Sequence, residues 1–488
     1  MPECSSGRLL YDQRGNAQGL FGSDLQHSGA TGLGLLSYGA ITGLQTDTSL
    51  KKNPNNGSKE PNIIPRAAHN VTRAEFSKSA LKVLYRLNKA GYQAFLVGGC
   101  VRDAMLELHP KDFDVATDAT PEEVKALFGN CRLIGRRFRL AHVRFGREII
   151  EVATFRAAAI HDHEDHHSDD EGRILRDNVY GSIDEDVWRR DFTCNALYYN
   201  IADFSIWDYT DGFQHIKEKR IVLIGDPEMR MREDPVRMLR AVRFAAKLGF
   251  EIDEPVIKSI DHHSHLLTNV PAARLFDEFL KLFQAGNAER TFDLLRDHGL
   301  FKEMFPATDH ELASDEDFMR FTRAALQNTD RRVSEGKSVT PMFLLGVFLW
   351  MPIAKLAEIR RSEEKMSESQ SLALAAYEIV AQQQQRISIP IRFTVPMREM
   401  LSLQPRFASK RGKRAMKLLD HRRFRAAYDF MLLLSEVGQG SAETAQFWTD
   451  VQTQSAAERA DSFELGQPTG EKKRRPRRRR RKKPEQSS

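Results

Sequence analysis

The sequence has few cysteines and no long apolar run, and each shortage excludes a class of protein. Four cysteines occur among 488 residues and none forms a Cys-x-x-Cys pair, so we expect neither a disulfide framework nor a zinc site of the usual spacing. The longest apolar stretch, residues 341–354, is too short and too closely bounded by proline to span a bilayer, and a buried helix is expected there. No basic-then-apolar signal segment opens the chain. We therefore expect a cytoplasmic protein without a membrane partner.

Excess positive charge is confined to one segment. The formal net charge is +6, but residues 471–488 hold eleven Lys and Arg against two Glu, which leaves the rest of the chain net negative. Such a tail indicates RNA or a protein partner bound through it. If all eleven cations contacted single-stranded RNA, log affinity would fall with log salt at a slope of about −8, although only some would engage.

Composition divides the chain into five segments. Residues 1–70 are rich in Gly, Ser, Asn and Thr and cannot bury enough surface to offset the entropy of ordering. We expect folded sequence to begin near Thr72, where Thr72-x-x-Glu75 matches a capping box. The expected segments are a disordered N-terminal segment 1–70, a catalytic head 71–220, a helical neck 221–285 that binds nucleotide and RNA, an all-helical RNA-binding body 286–455 and a disordered Arg/Lys-rich tail 456–488.

The head mixes strands with helices, whereas the sequence beyond about residue 220 has helical periodicity almost throughout. The predicted fold class is α+β, with a small mixed-sheet head, an all-α neck and body, and disordered N- and C-terminal tails. The strands expected in the head are 95–97, 112–116, 131–135, 139–145 and 148–156. The helices expected there are 101–108 and a helix from Thr120-Pro121 to about Gly129.

Two carboxylates are the most informative feature of the head. Asp112 and Asp114 are two residues apart on an expected strand, so their side chains project from one face and both can reach one pair of divalent cations. Two metal ions organise an in-line phosphoryl displacement. A lone Asp-x-Asp is more often a strand end or a turn, so this interpretation depends on a phosphate site nearby.

Gly98-Gly99 is the expected phosphate site. The pair follows a short buried strand, and glycine lets the backbone turn sharply against a ligand. Arg102 falls in the first turn of the next helix, where it can meet a phosphate. A glycine pair alone fits any strand-to-helix turn, but together with the two aspartates it favours a nucleotidyl-transfer site.

The segment around Asp191 supplies further candidates. On a purely structural interpretation Arg190 and Asp191 form an ion pair at a helix start. Beside a phosphate site, Arg190 could hold a triphosphate oxygen, Asp191 could support the metal site or the attacking group, and Asn195 could contact a sugar or a base edge. Glu151, on the strand after the aspartates, competes with Asp191 as the third active-site acid.

A helix with an arginine stripe is expected after Asp234-Pro235, where Asp234 caps the helix and proline takes its first position. Arg237, Arg240 and Arg243 recur at intervals of three and form a slanting stripe. A solvated stripe is the usual interpretation of such spacing. Asp234 and Arg237 together nevertheless offer an acceptor and a fork of donors that could recognise a base edge.

Two other polar segments have plainer interpretations. Residues 161–171 hold four histidines among acidic residues, but with no apolar anchor they are expected to form a solvated loop that binds metal only adventitiously. The basic stretches 411–417 and 422–425 fit a solvated helix face as well as they fit an RNA contact.

Taken together, these residues resemble the class II nucleotidyltransferases, the family of bacterial poly(A) polymerases and CCA-adding tRNA nucleotidyltransferases. The similarity covers about residues 73–435, and the motifs occur in the family's order. They are Leu96-Val97-Gly98-Gly99-x-Val101-Arg102-Asp103, Asp112-x-Asp114, Arg189-Arg190-Asp191-Phe192-Thr193-x-Asn195-Ala196-Leu197 and Arg232-Glu233-Asp234-Pro235-x-Arg237-Met238-Leu239-Arg240-x-x-Arg243-Phe244.

The resemblance implies a role for each candidate. It implies that Asp112 and Asp114 bind Mg²⁺ and are catalytic, and that Asp191 is a third active-site acid. It further implies nucleotide-binding residues, with Gly99 and Arg102 at the triphosphate, Asp234 and Arg237 at the incoming base, and Arg190, Arg240 and Arg243 near the nucleotide.

Within that family, residues 135–138, Gly-Arg-Arg-Phe, resemble the stretch that distinguishes the poly(A) polymerases. The resemblance then implies attack of an RNA 3′-hydroxyl on the α-phosphorus of ATP, with RNA 3′ ends as the partner and possible RNA-decay proteins at the basic tail. A CCA-adding enzyme is the alternative. A third hypothesis, an RNA-binding scaffold that kept only the fold, is disfavoured by the intact Asp112, Asp114 and Arg102.

Overall fold

The computed structural model describes residues 60–135, 139–157 and 180–465. Five predictions concern residues outside these ranges. They are the disorder of residues 1–59, the role of residues 136–138 in the Gly-Arg-Arg-Phe stretch, the adventitious metal binding at 161–171, the disorder of residues 466–488, and RNA or protein binding by the basic tail at 471–488.

The described part of the head is built on a mixed sheet of eight strands. Its order is β1-β8-β7-β2-β3-β6-β5-β4, in which β3 and β6 are parallel and the other neighbours are antiparallel. The strands are β1 Asn62–Ile64, β2 Ala94–Val97, β3 Asp114–Thr117, β4 Cys131–Ile134, β5 Leu140–Phe145, β6 Glu148–Thr154, β7 Leu197–Asn200 and β8 Ile206–Asp208.

Strand register brings the predicted motifs together at the centre of this sheet. All four residues of β2 are buried, as expected for a short apolar central strand. Val97, the last residue of β2, pairs with Asp114, so the glycine turn that follows lies beside the carboxylate strand. On the other side of β3, Asp114 pairs with Glu151 of β6.

Five helices pack with the head sheet, and the third has the predicted start. Thr120 and Glu123 form a reciprocal capping box there, and Pro121 takes the first helical position. The five are α1 Lys78–Lys89, α2 Gly99–Met105, α3 Pro121–Leu127, α4 Ile183–Arg189 and α5 Gly212–Lys217.

The start of the folded chain differs from the sequence prediction in two ways. The capping box at Thr72 was wrong, because Ser77 caps α1 by accepting the Ala80 N–H at 3.0 Å, whereas residues 73–75 form a separate 3-10 turn. Disorder up to residue 70 was also wrong for the described part of that segment. Strand β1 adds to the sheet edge by pairing with β8, and Ile64 is buried. Composition did not reveal this strand because it has only three residues, and edge strands can be very short.

The neck and body are helical, apart from a small parallel pair formed by β9 Arg220–Ile221 and β10 Glu251–Ile252. The neck helices are α6 Pro227–Glu233, α7 Val236–Leu248, α8 Glu254–His263 and α9 Ala272–Phe283. The body helices are α10 Ala288–Asp297, α11 Leu300–Met304, α12 Pro306–Leu312, α13 Glu316–Ser334, α14 Pro341–Glu363, α15 Glu368–Gln384, α16 Ile391–Ser402, α17 Gly412–Met416, α18 Phe424–Glu436, α19 Ala442–Thr453 and α20 Ala456–Ser462.

An aromatic cluster joins the last neck helix to the body. Phe348 on α14 is fully buried, and five phenylalanine rings have centroids within 6.3 Å of its own. Aromatic pairs at such separations add to the free energy gained from burial alone. The five are Phe279, Phe283, Phe292, Phe301 and Phe305.

Helix α14 extends nine residues past the predicted buried stretch, which ends at residue 354, and it contains a proline inside the helix. Pro352 has no N–H for the carbonyl of Phe348, which would break an ordinary helix. The buried hydroxyl of Thr308 donates to that carbonyl at 2.8 Å and replaces the missing donor. In the described chain α14 is long and apolar enough to cross a membrane, but 61% of its apolar window is buried against the rest of the protein.

The C-terminal boundary of the body also lies beyond the predicted residue 455. Ser455 and Glu458 form a capping box that starts α20. Phe463 follows that helix, is fully buried, and packs edge-on against Phe447 at 5.4 Å. Its carbonyl accepts the Gly412 N–H at 2.7 Å. Residues 456–465 therefore belong to the folded body, and the prediction of disorder from residue 456 was wrong there.

Phe463→Ala should lower the free energy of unfolding of the body by about 3–5 kcal/mol, because it removes a fully buried ring. Urea unfolding followed by circular dichroism measures the change. Ile391→Ala, at a position 74% exposed, is the control and should change stability by less than about 0.5 kcal/mol. Equal effects of the two substitutions would contradict the boundary assigned to the body.

Candidate active site

Two adjoining cavities contain the site residues predicted from the sequence, with the exception of Glu151. A cavity of about 610 Å³, called here the catalytic cavity, is lined by Gly98, Gly99, Arg102, Asp112, Asp114, Arg190, Asp191, Asn195, Arg240 and Arg243. A cavity of about 580 Å³, called the base cavity, shares Arg190, Asp191 and Arg240 with it and adds Asp234 and Arg237. Glu151 lines neither of them.

Gly98 forms the turn between β2 and α2. Its φ of 78° lies in the left-handed region that favours glycine. A Cβ at this position would lie 3.8 Å from Arg190 Nη1 and 3.9 Å from Asp114 Oδ2, so the backbone itself forms part of the cavity wall between a cation and a carboxylate. The predicted close backbone approach is present at this residue.

Asp112 and Asp114 both line the catalytic cavity, but only Asp114 lies on the strand. Strand β3 begins at Asp114 rather than at the predicted residue 112, and the buried Phe113 separates the two carboxylates. Desolvation and the negative charges of Glu151 and Asp112 raise the pKa of Asp114 to about 6, against the opposing effect of Arg190. The aspartates thus form a cluster of mutually repelling charges, which a cation would stabilise.

Arg190 is held in place by two residues that the sequence did not indicate. Its Nη2 donates to Asp186 Oδ2 at 2.9 Å and its Nε donates to Tyr198 Oη at 2.8 Å, while the Tyr198 hydroxyl donates to the same Asp186 oxygen at 2.7 Å. The Nη1 edge remains near Gly98. The guanidinium is therefore fixed with one edge toward the catalytic cavity.

A chain of hydrogen bonds runs from α2 through the head to α7. Arg102 donates to Asn195 Oδ1, and Asn195 Nδ2 donates to Asp191 Oδ1 at 3.2 Å. Asp191 Oδ2 accepts Arg240 Nε at 2.7 Å. Burial alone would raise the pKa of Asp191, but Arg240 and the other donors lower it, so the group is held as a carboxylate.

The two candidates for the third acid have different surroundings. Both oxygens of Asp191 are occupied by protein donors, because Oδ1 also accepts the Phe192 N–H at 2.8 Å. Glu151 lies opposite Asp114 on the neighbouring strand, and its side chain is 49% exposed. Its described neighbour is His142, at 3.5 Å. Asp191 is thus placed to position Arg240, whereas Glu151 acts on Asp114 through its charge.

Asp234 and Arg237 both line the base cavity, and the Arg237 N–H donates to the Asp234 carbonyl at 3.0 Å, but their side chains have different partners in the described structure. Helix α7 begins at Val236 with Pro235 at its N-cap, one residue later than predicted, although Asp234 Oδ1 still accepts the Val236 N–H at 3.2 Å. Asp234 Oδ2 accepts Arg274 Nη2 at 2.7 Å. Arg237 donates to Glu233 Oε2 at 2.7 Å. Sequence reasoning missed Arg274, since the folded chain brings it to Asp234 from α9.

The arginine stripe of α7 faces inward rather than solvent. The guanidinium carbons of Arg102, Arg240 and Arg243 lie 5.3, 5.4 and 4.6 Å from the centroid of the Phe244 ring. Arg243 Nε is buried without a hydrogen-bond partner in the described structure, and Glu278 approaches it at 3.7 Å. Desolvation lowers the pKa of Arg243. Crowded cations with an unfilled donor fit a polyanionic ligand.

A tight turn under the site supports Asn195. Gly212 packs so closely on the 3-10 turn Thr193–Asn195 that a Cβ would lie 2.2 Å from Thr193 O. Asp208 fixes the approach of this glycine by accepting the N–H groups of Gly212 and Phe213 at 3.0 and 2.9 Å. These positioning residues lie outside the sequence motifs, although the Asp-x-x-x-Gly spacing could have indicated a turn.

Three family models match the chain. Residues 94–222 match the poly A polymerase head domain, residues 249–312 match a segment described as the probable RNA and SrmB-binding site of polymerase A, and residues 364–482 match the polymerase A arginine-rich C-terminus. The poly(A) polymerase I of Salmonella typhimurium is 47% identical over 408 residues, which are 81% of this chain and 87% of that protein. The chain belongs to the bacterial poly(A) polymerase family.

Other relatives place the chain within this family. The poly(A) polymerase I of Haemophilus influenzae is 41% identical over 84% of the chain and 92% of that protein. A CCA-adding enzyme of Bacillus licheniformis is 37% identical, but only over 46% of the chain and 55% of that enzyme. The prediction of a poly(A) polymerase rather than a CCA-adding enzyme is confirmed.

A solved structure confirms the fold class. A structure described as a tRNA-processing enzyme in its first apo form superposes with a TM-score of 0.50 at 20% identity, covering 81% of this chain and 98% of that one. At this identity the likeness concerns the fold alone, a mixed-sheet head followed by helices.

Gly212→Ala should lower the free energy of unfolding by about 1–3 kcal/mol and reduce activity, because the added methyl group must displace the turn that carries Asn195. Urea unfolding measures the first effect. Gly129→Ala is the matched control, since a Cβ there would have no neighbour within 4 Å. An unchanged stability in Gly212→Ala would show that the turn moves freely.

Proposed function

We propose that the protein adds AMP from ATP to RNA 3′ ends without a template and releases pyrophosphate. One observation supports this proposal above the others: the carboxylates of Asp112 and Asp114 share a cavity with the arginines of α2 and α7 in a poly(A) polymerase family member. Carboxylates and arginines in one cavity suit a reaction in which a polyphosphate is held and cleaved.

Magnesium suits the carboxylates of this cavity. Asp112 and Asp114 offer the hard oxygen donors that Mg²⁺ prefers, and the pKa of Asp114 is raised by burial first and by the charges of Glu151 and Asp112 second. Across the described residues no group of three or more His, Cys, Asp and Glu side chains is arranged to hold a metal. The proposed holders are therefore these two aspartates, with the substrate completing the ligands. When bound, Mg²⁺ would lower the pKa of the attacking hydroxyl and offset the charge on the leaving group.

The arginines bind and orient the triphosphate in this proposal. Arg102, Arg190, Arg240 and Arg243 line the catalytic cavity from three different parts of the chain. Gly98 and Gly99 line the same cavity and have no side chains, so the phosphate chain can approach their backbone closely. Arg190 is fixed by Asp186 and Tyr198, so its charge is in place before the nucleotide arrives.

The adjoining base cavity supports recognition of adenine. A carboxylate oxygen of Asp234 can accept the exocyclic amino group of adenine, and the Arg237 guanidinium can donate to a ring nitrogen. Arg274 and the Val236 N–H hold Asp234 in a single orientation, which favours one hydrogen-bonding pattern over another.

RNA is the proposed acceptor, and RNA processing or decay in the cytoplasm is the proposed setting. The relatives are named for poly(A) synthesis, and the match at residues 249–312 carries a description of RNA binding. The basic tail at 471–488 would add phosphate contacts that ignore sequence, or would recruit RNA-decay proteins.

Purified protein with Mg²⁺ and a generic single-stranded RNA should give a long ladder with ATP and little extension with CTP, GTP or UTP. Denaturing electrophoresis of a labelled primer measures this. Asp114→Asn should lower incorporation at least about 10³-fold while RNA retention on a filter survives, because the substitution removes a proposed metal ligand. One or two additions confined to tRNA that lacks its CCA end would instead support the CCA-adding alternative.

Glu151→Gln and Asp191→Asn should separate the two candidates for the third acid. We expect Glu151→Gln to raise the half-saturating Mg²⁺ concentration about three- to tenfold, since one negative charge near Asp114 is lost. Asp191→Asn should instead raise the KM for ATP by releasing Arg240, with the Mg²⁺ dependence within about twofold of the original. Steady-state titrations of each ligand test this, with Glu148→Gln on the same strand as the control. The reverse pattern would make Asp191 the acid at the metals.

A further inference from the structure

A third cavity lies in the helical body, outside the residues to which the proposed function assigns a catalytic or nucleotide-binding role. It has a volume of about 270 Å³ and is formed by the last turns of α13, the loop before α14, and the first turns of α14 and α18. We call it the body cavity, and its arginines are Arg332, Arg422, Arg423 and Arg425.

The charges around the body cavity leave an excess of cations. Glu399 accepts both Arg422 and Arg423, the latter at 3.0 Å, so one carboxylate serves two guanidinium groups. Arg425 pairs with Asp429 at 3.0 Å. Arg332 donates to the neutral carbonyl of Ser338 at 3.2 Å, a bond that does not compensate its charge. The four arginines thus outnumber the acidic side chains near them, which are Glu399, Asp429 and Glu335, and Glu335 is also paired with Lys337.

Apolar side chains line part of the body cavity, beside its arginines. Phe343 and the buried Met342 line it from α14, and Ala325 and Ala426 line it from the facing helices. The Phe343 ring is held by an edge-on contact with Phe430 at 5.9 Å. Hydrogen-bonding groups are also present, because Asn328 and Thr340 belong to the lining. Apolar side chains beside arginines suit a nucleobase with its phosphate.

The body cavity and the catalytic cavity lie on either side of one short segment. Ala285 and Asn287 line the catalytic cavity. Between them, Gly286 packs against α13, since a Cβ there would lie 3.1 Å from Val333 Cγ1. The preceding Gln284 donates to the carbonyl of Val339, a residue of the body cavity, at 3.0 Å. Residues 284–287 therefore connect the lining of the catalytic cavity to residues around the body cavity, so RNA that follows this segment out of the catalytic cavity would approach the body cavity.

We propose that the body cavity is a binding site for one nucleotide of the RNA acceptor upstream of its 3′ end, with the base on Phe343 and Met342 and the phosphates on Arg332 and Arg425. The inference rests on the proposed function for the direction of the RNA. Its evidence, the arginines of the body cavity and the shared segment, is separate from the catalytic carboxylates.

The variant Arg332→Gln/Arg425→Gln tests the proposal by RNA binding alone. Full-length protein is titrated against a labelled single-stranded RNA with a 3′-deoxy end, which cannot be extended, between 0.1 and 1 M salt. Loss of two phosphate contacts should reduce the slope of log affinity against log salt by about 1.4, at roughly 0.7 per contact. If the variant matches the original protein at 1 M salt, its affinity at 0.1 M should be about 25-fold weaker.

Arg320→Gln/Arg361→Gln is the matched control. Both arginines are exposed, form local ion pairs with Asp317 and Glu358, and lie outside the body cavity, so the net charge falls equally. We expect less than half the change in slope. Equal slopes in the two double variants would overturn the proposal, as would an unchanged slope in Arg332→Gln/Arg425→Gln.

Photocrosslinking locates the nucleotide without any substitution. RNAs carrying 4-thiouridine at successive positions from the 3′ end should crosslink to residues 338–343 or 423–429 from one upstream position only. Crosslinks elsewhere, or competition for the body cavity by an acidic peptide but not by RNA, would overturn the proposal. Failure of the original protein to extend RNA would refute the proposed function while leaving the binding result unaffected.

Discussion

The carboxylate of Asp191 joins the head to the neck, and the geometry of the candidate active site depends on this link. It receives Asn195 from the head and Arg240 from α7, and Asn195 also receives Arg102. Both oxygens of this buried carboxylate accept hydrogen bonds, so a displacement of any partner would leave a buried polar group unpaired. The walls of the catalytic cavity therefore keep their relative positions without a ligand.

The fixed geometry also holds side chains of like charge close together, so that they repel one another. The links through Asp191 position Arg102 and Arg240, which lie with Arg243 around one aromatic ring, and in the same region Asp114 is repelled by Glu151 and Asp112. The like charges within each group repel one another, and a charge of the opposite sign relieves that repulsion. A triphosphate with its metal ions carries charges of both signs, so one substrate can relieve the repulsion among the arginines and the repulsion among the carboxylates.

Local sequence patterns predicted the elements of the site but not their partners. Strand β2, the capped start of α3 and the glycine turn are encoded within a few neighbouring residues, and all three were predicted. Arg274 reaches Asp234 across forty residues, so only the folded chain reveals it. The start of α20 was readable from the capping box at Ser455, but the basic composition that follows obscured it. Pairing between distant segments, rather than local propensity, limited the prediction.

The bond between Thr308 and the carbonyl of Phe348 has a consequence for the evolution of the family. Pro352 is tolerated inside α14 because the Thr308 hydroxyl supplies the donor that proline removes. A change at Thr308 alone would leave a buried carbonyl without a partner, whereas a change at Pro352 alone would release the threonine from its role. The two sites, 44 residues apart in the sequence, should therefore vary together among homologues, with the proline entering a lineage only after the hydroxyl.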